Sequence, residues 1–162
     1  MFNRLKVGET VALRVEEISP KAQGVATLGN QAVWIKEGLP GDQVQVRLTR
    51  VRSTHAEAKL IRVEIGSPDR VAPRCAHFGP CGGCDLQHLR YPLQVDWKKK
   101  ALQRILTQEG NLKSLPPIGT VVMEDPWAYR NKMEFTFGQE GERIILGLHE
   151  RSSFQRIVDI TH

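Results

Sequence analysis

The chain has 162 residues, 40% of them hydrophobic and 25% charged, the balance of a soluble globular protein with one ordinary domain or two small ones. No apolar run is long enough to span a membrane, and the start, Met1-Phe2-Asn3-Arg4, lacks an apolar leader. A cytoplasmic protein with no membrane partner is therefore expected, and the net charge of +5 suits a polyanion.

From Thr10, Val11, Leu13 and Val15 alternate with Ala12, Arg14 and Glu16, the period of two that marks a strand with one buried face. Lys21-Ala22-Gln23-Gly24 reads as a turn into Val25–Leu28, and Gly29-Asn30 joins that run to Ala32–Ile35 as a hairpin. After a turn at Gly38–Asp42, Val44, Val46 and Leu48 alternate with Gln43, Gln45, Arg47 and Thr49. A last strand passes through Ala56, Ala58, Leu60 and Val63. Five short strands over residues 1–66 predict a closed OB-like barrel, which leaves no sheet edge exposed. Their order resembles a TRAM domain, a five-stranded RNA-binding barrel. Arg47, Arg50, Arg52, Lys59 and Arg62 gather late in it with only Glu57 opposing them. On a barrel of that kind, Arg47, Arg50, Arg52 and Lys59 are candidate RNA contacts through phosphate. Trp34 is expected in the barrel core and His55 in a solvated loop.

Ser67-Pro68-Asp69 and Ala72-Pro73 mark a linker into Cys75-Ala-His-Phe-Gly-Pro-Cys81-Gly-Gly-Cys84, which holds all three cysteines of the chain. Two thiolates can face one centre only where the backbone between them turns sharply, and Gly82-Gly83 can supply the positive φ that this needs. Cysteines flanked by Gly, Pro and His are poor core filler, and an odd count without a secretory signal argues against disulfides. A metal site remains: zinc with His77 or His88 as fourth ligand, or an iron–sulfur cluster, which wants a further thiolate.

Next comes an amphipathic helix, residues 92–112 with its linker. Pro92 suits a first helical position, Leu93, Trp97, Ala101 and Ile105 recur every fourth residue, Leu102 and Leu106 widen the stripe, and Gly110 ends it. The stripe is broader than a small neighbouring sheet needs, so a mobile helix or a dimer through it is expected. Residues 113–162 read as an unfinished antiparallel meander. A short strand is expected around Gly119–Met123, then one in which Met133, Phe135 and Phe137 form core, then Arg143–Leu148 and Phe154–Ile160. Arg130 and Lys132, beside Tyr129, are further candidate RNA contacts.

Cys75-x5-Cys81-Gly-Gly-Cys84-x2-Gln87-His88, together with Tyr129–Phe135 and Gly147–Ile160, resembles the RNA (uracil-5-)-methyltransferases that act on 23S ribosomal RNA. The resemblance covers nearly the whole chain. It implies that Cys75, Cys81 and Cys84 are ligands of a [4Fe–4S] cluster whose fourth cysteine follows His162. It implies ribosomal RNA as partner and makes residues 67–91 a cluster-binding segment and 113–162 part of a central β domain. In that family a cysteine thiolate adds to carbon 6 of uracil and carbon 5 takes a methyl group from S-adenosylmethionine. Here every cysteine lies in the cluster motif, and no glycine-rich βαβ turn for a methyl donor occurs. The expectation is therefore a mainly β protein with one helix: the N-terminal part of a methyltransferase, with no catalytic residue of its own and the catalytic domain absent. S-adenosylmethionine would bind only the full-length enzyme. The alternative is a stand-alone, non-catalytic RNA-binding module with a structural iron–sulfur or zinc site.

Overall fold

The computed structural model describes residues 5–161 and divides into two units, Met1–Val71 with His88–Val121, and Ala72–Gln87 with Val122–His162. The first contains six strands: β1 (Thr10–Arg14), β2 (Glu17–Ile18), β3 (Gly24–Leu28), β4 (Gln31–Ile35), β5 (Gln43–Val51) and β6 (His55–Ile65). They lie in the order β1-β5-β6-β4-β3-β2, antiparallel except for the parallel β4–β6 pair. The alternating residues converge as the sequence predicts: Leu13, Val15, Val33, Ile35, Val44, Val46, Leu48, Ala56 and Ala58 are buried together.

The sheet is open, which corrects the expected closed barrel. Its two edges, β1 and β2, are successive segments of one bent run rather than hydrogen-bonded neighbours. At the bend the Val15 N–H donates to the Asp42 carbonyl (2.9 Å) and the Glu16 N–H to that of Val25 (2.8 Å). The chain itself turns this corner where a ladder was expected, and the two-residue β2 was too short to register as a period. Gly24 allows the crossing behind it, because a Cβ there would lie 2.7 Å from the Gly38 carbonyl oxygen.

Below the sheet a carboxylate with no solvent access organises three segments. Asp42 accepts hydrogen bonds from the N–H groups of Leu39 (2.7 Å) and Ser67 (2.8 Å), and from the Arg70 guanidinium through Nε (3.1 Å) and Nη2. Arg70 Nη2 also donates to the Glu37 carbonyl (2.7 Å). Beyond it, residues 69–71 run antiparallel to 88–90: Val71 N–H donates to His88 O, Arg90 N–H donates to Asp69 O, and Arg90 pairs with the Asp69 carboxylate.

The helix α1 (Tyr91–Gln108) has Pro92 in its first turn and ends before Gly110, as expected. At Gly110 a Cβ would lie 2.7 Å from the Leu106 carbonyl. The helix is not free of its own unit. The Trp97 indole N–H donates to the Ser19 carbonyl (3.1 Å), and Leu93, Trp97 and Ala101 line a cleft of about 500 Å³ with Ile18, Pro20 and Pro40. Only the distal part of the stripe, Leu102 and Ile105, is exposed. No helix among the described residues is long and apolar enough to cross a membrane.

The second unit holds an antiparallel meander, β7 (Thr136–Glu140), β8 (Arg143–His149) and β9 (Ile157–Asp159), in that order. No strand forms around Gly119–Met123, and β7 starts only at Thr136. Met133, Phe135 and Phe137 are exposed at 40%, 47% and 75%, which corrects their assignment to core. Phe137 pairs with Leu146 on the bare face, while Ile145 and Gly147 turn to the covered one. Gly147 must be glycine, since a Cβ there would sit 1.8 Å from the Val158 carbonyl oxygen.

Asp42→Ala is expected to destabilise the chain by about 3–5 kcal/mol in urea titrations, because it strands the Arg70 charge and two N–H groups. Burial alone pushes the Asp42 carboxyl up, but hydrogen bonds from Arg70, Ser67 and Leu39, and the Arg70 charge, outweigh it and hold the group below its usual value. A depressed folded-state pKa stabilises fully above about pH 4 and progressively less as the pH falls below it. Wild type should lose this contribution on acidification; Asp42→Asn should show no corresponding loss.

Candidate nucleic-acid interface and cysteine loop

The outward face of the first sheet is built by parity. Ala56 and Ala58 point into the core, so His55, Glu57 and Lys59 point out; Val46 and Leu48 point in, so Arg47 points out. The ladder places Arg47 directly opposite Lys59, and Arg50 opposite Glu57 after a register shift. Arg50 and Glu57 form an exposed ion pair of 3.1 Å, and Arg62 pairs with Glu64 at 3.0 Å. Among the described residues, Arg47 and Lys59 have no acidic partner within ion-pair distance. Two cations directly across a strand pair repel each other, so this arrangement costs stability unless an anion bridges them. Arg52 sits in the β5–β6 turn, its side chain exposed and its carbonyl held by the Gln31 amide (3.1 Å).

Trp34 does not enter the core, contrary to expectation. Its neighbours Val33 and Ile35 are fully buried, so parity turns Trp34 outward, where it is half-buried. There it stacks on His55, with ring centroids 4.1 Å apart and planes 18° from parallel. His55 accordingly opens β6 instead of lying in a loop, and its Nδ1 lies 3.0 Å from the Thr54 hydroxyl. Sequence reasoning missed this pair because Ala32-Val33-Trp34-Ile35 is apolar throughout and does not reveal its own parity.

Arg130 and Lys132 belong to the second unit and to irregular chain. Lys132 pairs with Glu134 at 2.7 Å, both exposed. Arg130 donates to the Gly83 carbonyl (3.3 Å) and lies over the Tyr129 ring (5.9 Å). Its pKa is raised, chiefly by a hydrogen bond and charge interaction with Tyr129, with smaller help from Cys84 and Cys81. It thus links the cysteine loop, through Gly83, to its own neighbours Tyr129 and Met133.

That loop is stapled to the end of β8. The Gly82 N–H donates to the His149 carbonyl (3.0 Å), Cys81 pairs with Glu150 in an isolated bridge, and the Arg151 N–H donates to the Pro80 carbonyl (2.8 Å). The Arg151 side chain reaches back over the loop, pairing with Asp85 (2.8 Å), donating to the Cys84 carbonyl and lying 5.9 Å from the Phe78 ring. Gly82 and Gly83 do not take positive φ, as the sequence suggested; in this loop Gly79 does, at 100°. The pair permits close approach instead. A Cβ on Gly82 would lie 3.0 Å from the His149 oxygen, and one on Gly83 3.2 Å from Leu148 and 3.4 Å from the Cys81 sulfur.

The sulfurs already receive donors: Gly83 N–H to Cys81 Sγ (3.3 Å) and the Gln87 amide to Cys84 Sγ (3.2 Å). The Gln87 Oε1 accepts the Cys75 N–H (3.2 Å), so one side chain ties the first cysteine to the third. Hydrogen-bond donors aimed at sulfur are what surround a metal-bound thiolate, and the donor set fits a thiolate-held group. The three cysteines are free, Cys81 buried, Cys75 half-buried and Cys84 exposed, and among the described residues no three potential ligands converge on one point. His77 accepts from Thr161 through Nε2 (3.3 Å), and buried His88 belongs to the first unit.

A family model described as TRAM domain matches residues 4–61. An uncharacterized RNA methyltransferase of Bacillus cereus is 35% identical over 99% of this chain and 35% of its own length. The 23S rRNA (uracil(1939)-C(5))-methyltransferase RlmD of Shewanella amazonensis is 35% identical over 91% of the chain and 34% of its own length. An uncharacterized RNA methyltransferase of Caldanaerobacter subterraneus is 36% identical over 93% and 34%. The chain thus spans about a third of the length of the curated relatives it matches. It carries a TRAM domain, and the resemblance to RNA methyltransferases read from its motifs extends along nearly all of it.

In the reduced, metal-free chain, an aromatic disulfide reagent should modify Cys84 first and Cys81 last. Arg151→Ala should speed modification of Cys81 by about tenfold or more while leaving Cys84 nearly unchanged. Equal rates for Cys81 in the two proteins would show that Arg151 does not hold the loop closed.

Proposed function

We propose that this chain is the RNA-recognition and iron–sulfur portion of an S-adenosylmethionine-dependent 23S rRNA (uracil-5-)-methyltransferase, and that it is not catalytic by itself. The observation that carries the RNA reading is the Arg47–Lys59 pair, two exposed cations held opposite each other on the TRAM sheet without acidic partners among the described residues. A phosphate between them would relieve their repulsion. Arg50 and Arg52 flank the pair, and Arg50 can exchange Glu57 for a phosphate at little cost because exposed ion pairs contribute little. Lys132 is similarly placed to exchange Glu134, while Arg130 serves the cysteine loop before RNA.

Cys75, Cys81 and Cys84 would supply three ligands of the cluster, with Gln87 and the Gly83 N–H as donors to sulfur. When bound, the cluster supplies a structural cross-link within the loop. Arg151 and Gly82 anchor that loop to β8 and fix where the thiolates start from. With all three cysteines in one loop, none is left as a nucleophile toward uracil.

RNA affinity should fall steeply with salt. Neutralising both members of the pair, Arg47→Gln with Lys59→Gln, should flatten the slope of log affinity against log salt by about 1.4 units on single-stranded RNA. Filter binding of a uridine-containing ribosomal RNA fragment across a salt series checks this, and an affinity insensitive to salt refutes it. Incubated with a labelled methyl donor and unmodified ribosomal RNA, the chain alone should transfer no methyl group; incorporation that survives loss of all three cysteines would overturn the assignment.

A further inference from the structure

The phosphate-binding row does not explain what lies beside it. On the same outward face, Trp34 is the ladder neighbour of Glu57, which in turn faces Arg50, and His55 covers one side of the indole. Moving two residues along β6 from Glu57 reaches Lys59 and, across from it, Arg47. A half-buried aromatic pair therefore lies one ladder step, the Glu57–Arg50 pair, from two cations that lack acidic partners among the described residues. Large aromatic surface on the outside of a small sheet costs hydration, and Val25, the other cross-strand neighbour of Trp34, is too small to cover it.

We propose that the Trp34–His55 pair is a stacking platform for an unpaired base, with Arg47 and Lys59 holding the phosphates of the same strand. The inference rests on the RNA-binding reading and names its substrate class: a single-stranded segment. Stacked bases in a duplex present only their edges to a protein, whereas an unpaired base offers a π-face to an aromatic ring. Stacking tolerates any base, so the platform contributes affinity with little sequence preference, and its contribution is independent of salt because it releases no counterions. The two parts of the site thus answer to different variables, the cations to ionic strength and the platform to the presence of a base.

The test uses the full chain carrying Trp97→Phe and Trp127→Phe, which leaves Trp34 as the only tryptophan of three. Titration with an oligouridylate should quench its fluorescence, and an abasic oligonucleotide of equal length should bind with little quenching. Trp34→Ala in the wild-type chain should weaken oligouridylate binding by about five- to a hundredfold while leaving the salt slope unchanged. Trp34→Phe, which keeps a ring and guards against loss of folding, should restore most of the affinity. Arg47→Gln with Lys59→Gln should do the opposite, flattening the slope while the quench at saturation persists. Equal quenching by the abasic strand, or unchanged affinity in a folded Trp34→Ala protein, overturns the platform but leaves the phosphate reading standing. Tighter binding of duplex than of single strand overturns the choice of substrate. Failure of every oligonucleotide to bind overturns both readings.

Discussion

A carboxylate removed from water must have its lone pairs satisfied or give up its charge. Asp42 satisfies them with two main-chain N–H groups and the Arg70 guanidinium, and its own carbonyl receives the Val15 N–H at the bend between β1 and β2. That set ties the β4–β5 turn, the corner of the sheet and the segment after β6 to one residue. The placement of Arg47 opposite Lys59 depends on it, because that register follows from where β5 leaves this turn. Arg70 then hands the chain to residues 69–71, whose pairing with 88–90 marks where it leaves the first unit and returns. Gly41, at φ 93°, gives the turn the conformation that brings the carboxylate under the sheet.

The cysteine loop follows the same logic on a smaller scale. A loop with three cysteines in ten residues has almost no apolar core of its own, so its shape must come from hydrogen bonds. Gly82 and Arg151 fasten it to the end of β8, and Gln87 joins Cys75 to Cys84. The geometry explains why two adjacent glycines separate Cys81 from Cys84. Gly82 gives main-chain proximity to His149, and Gly83 packs against the Leu148 side chain and the Cys81 sulfur; neither makes a left-handed turn. A side chain at Gly82 would press on the His149 carbonyl and push the loop off the strand end, taking the sulfurs with it.

How much of this could be read from the chain depended on whether a residue's role was local. The alternation of Val11 to Val15 and Val44 to Leu48 gave the strands and the core, because period two reflects burial directly. The start and stop of the helix followed from Pro92 and Gly110, both of which act on neighbouring backbone. Asp42 read only as a turn residue, since Ser67 and Arg70, the partners that make it more than that, are 25 and 28 positions away. Arg151 carried no signal for the same reason, its loop contacts lying 67 positions back. Met133, Phe135 and Phe137 alternate correctly, but alternation says that residues share a face, not that the face is covered. In the helix the apolar stripe was visible, and its division into a docked part at Trp97 and an open part at Leu102 and Ile105 was not.

The contrast between Asp42 and Arg47 separates structural from functional charge in this molecule. Inside the first unit the buried carboxylate is matched on every side, since a single missing partner there would cost several kcal/mol. On the outward face the chain tolerates two opposed cations, which subtract from stability, and leaves a Trp–His stack half open to water. Both could be removed by short local changes: a glutamate at one of the cation positions would make a cross-strand ion pair, and a threonine in place of Trp34 would suit an exposed strand position. The two features share one face of one sheet: Trp34 pairs with Glu57, two residues along β6 from Lys59. Features so close together are mutually explained by a ligand that is anionic along its backbone and aromatic along its side, and a single strand of RNA has both properties.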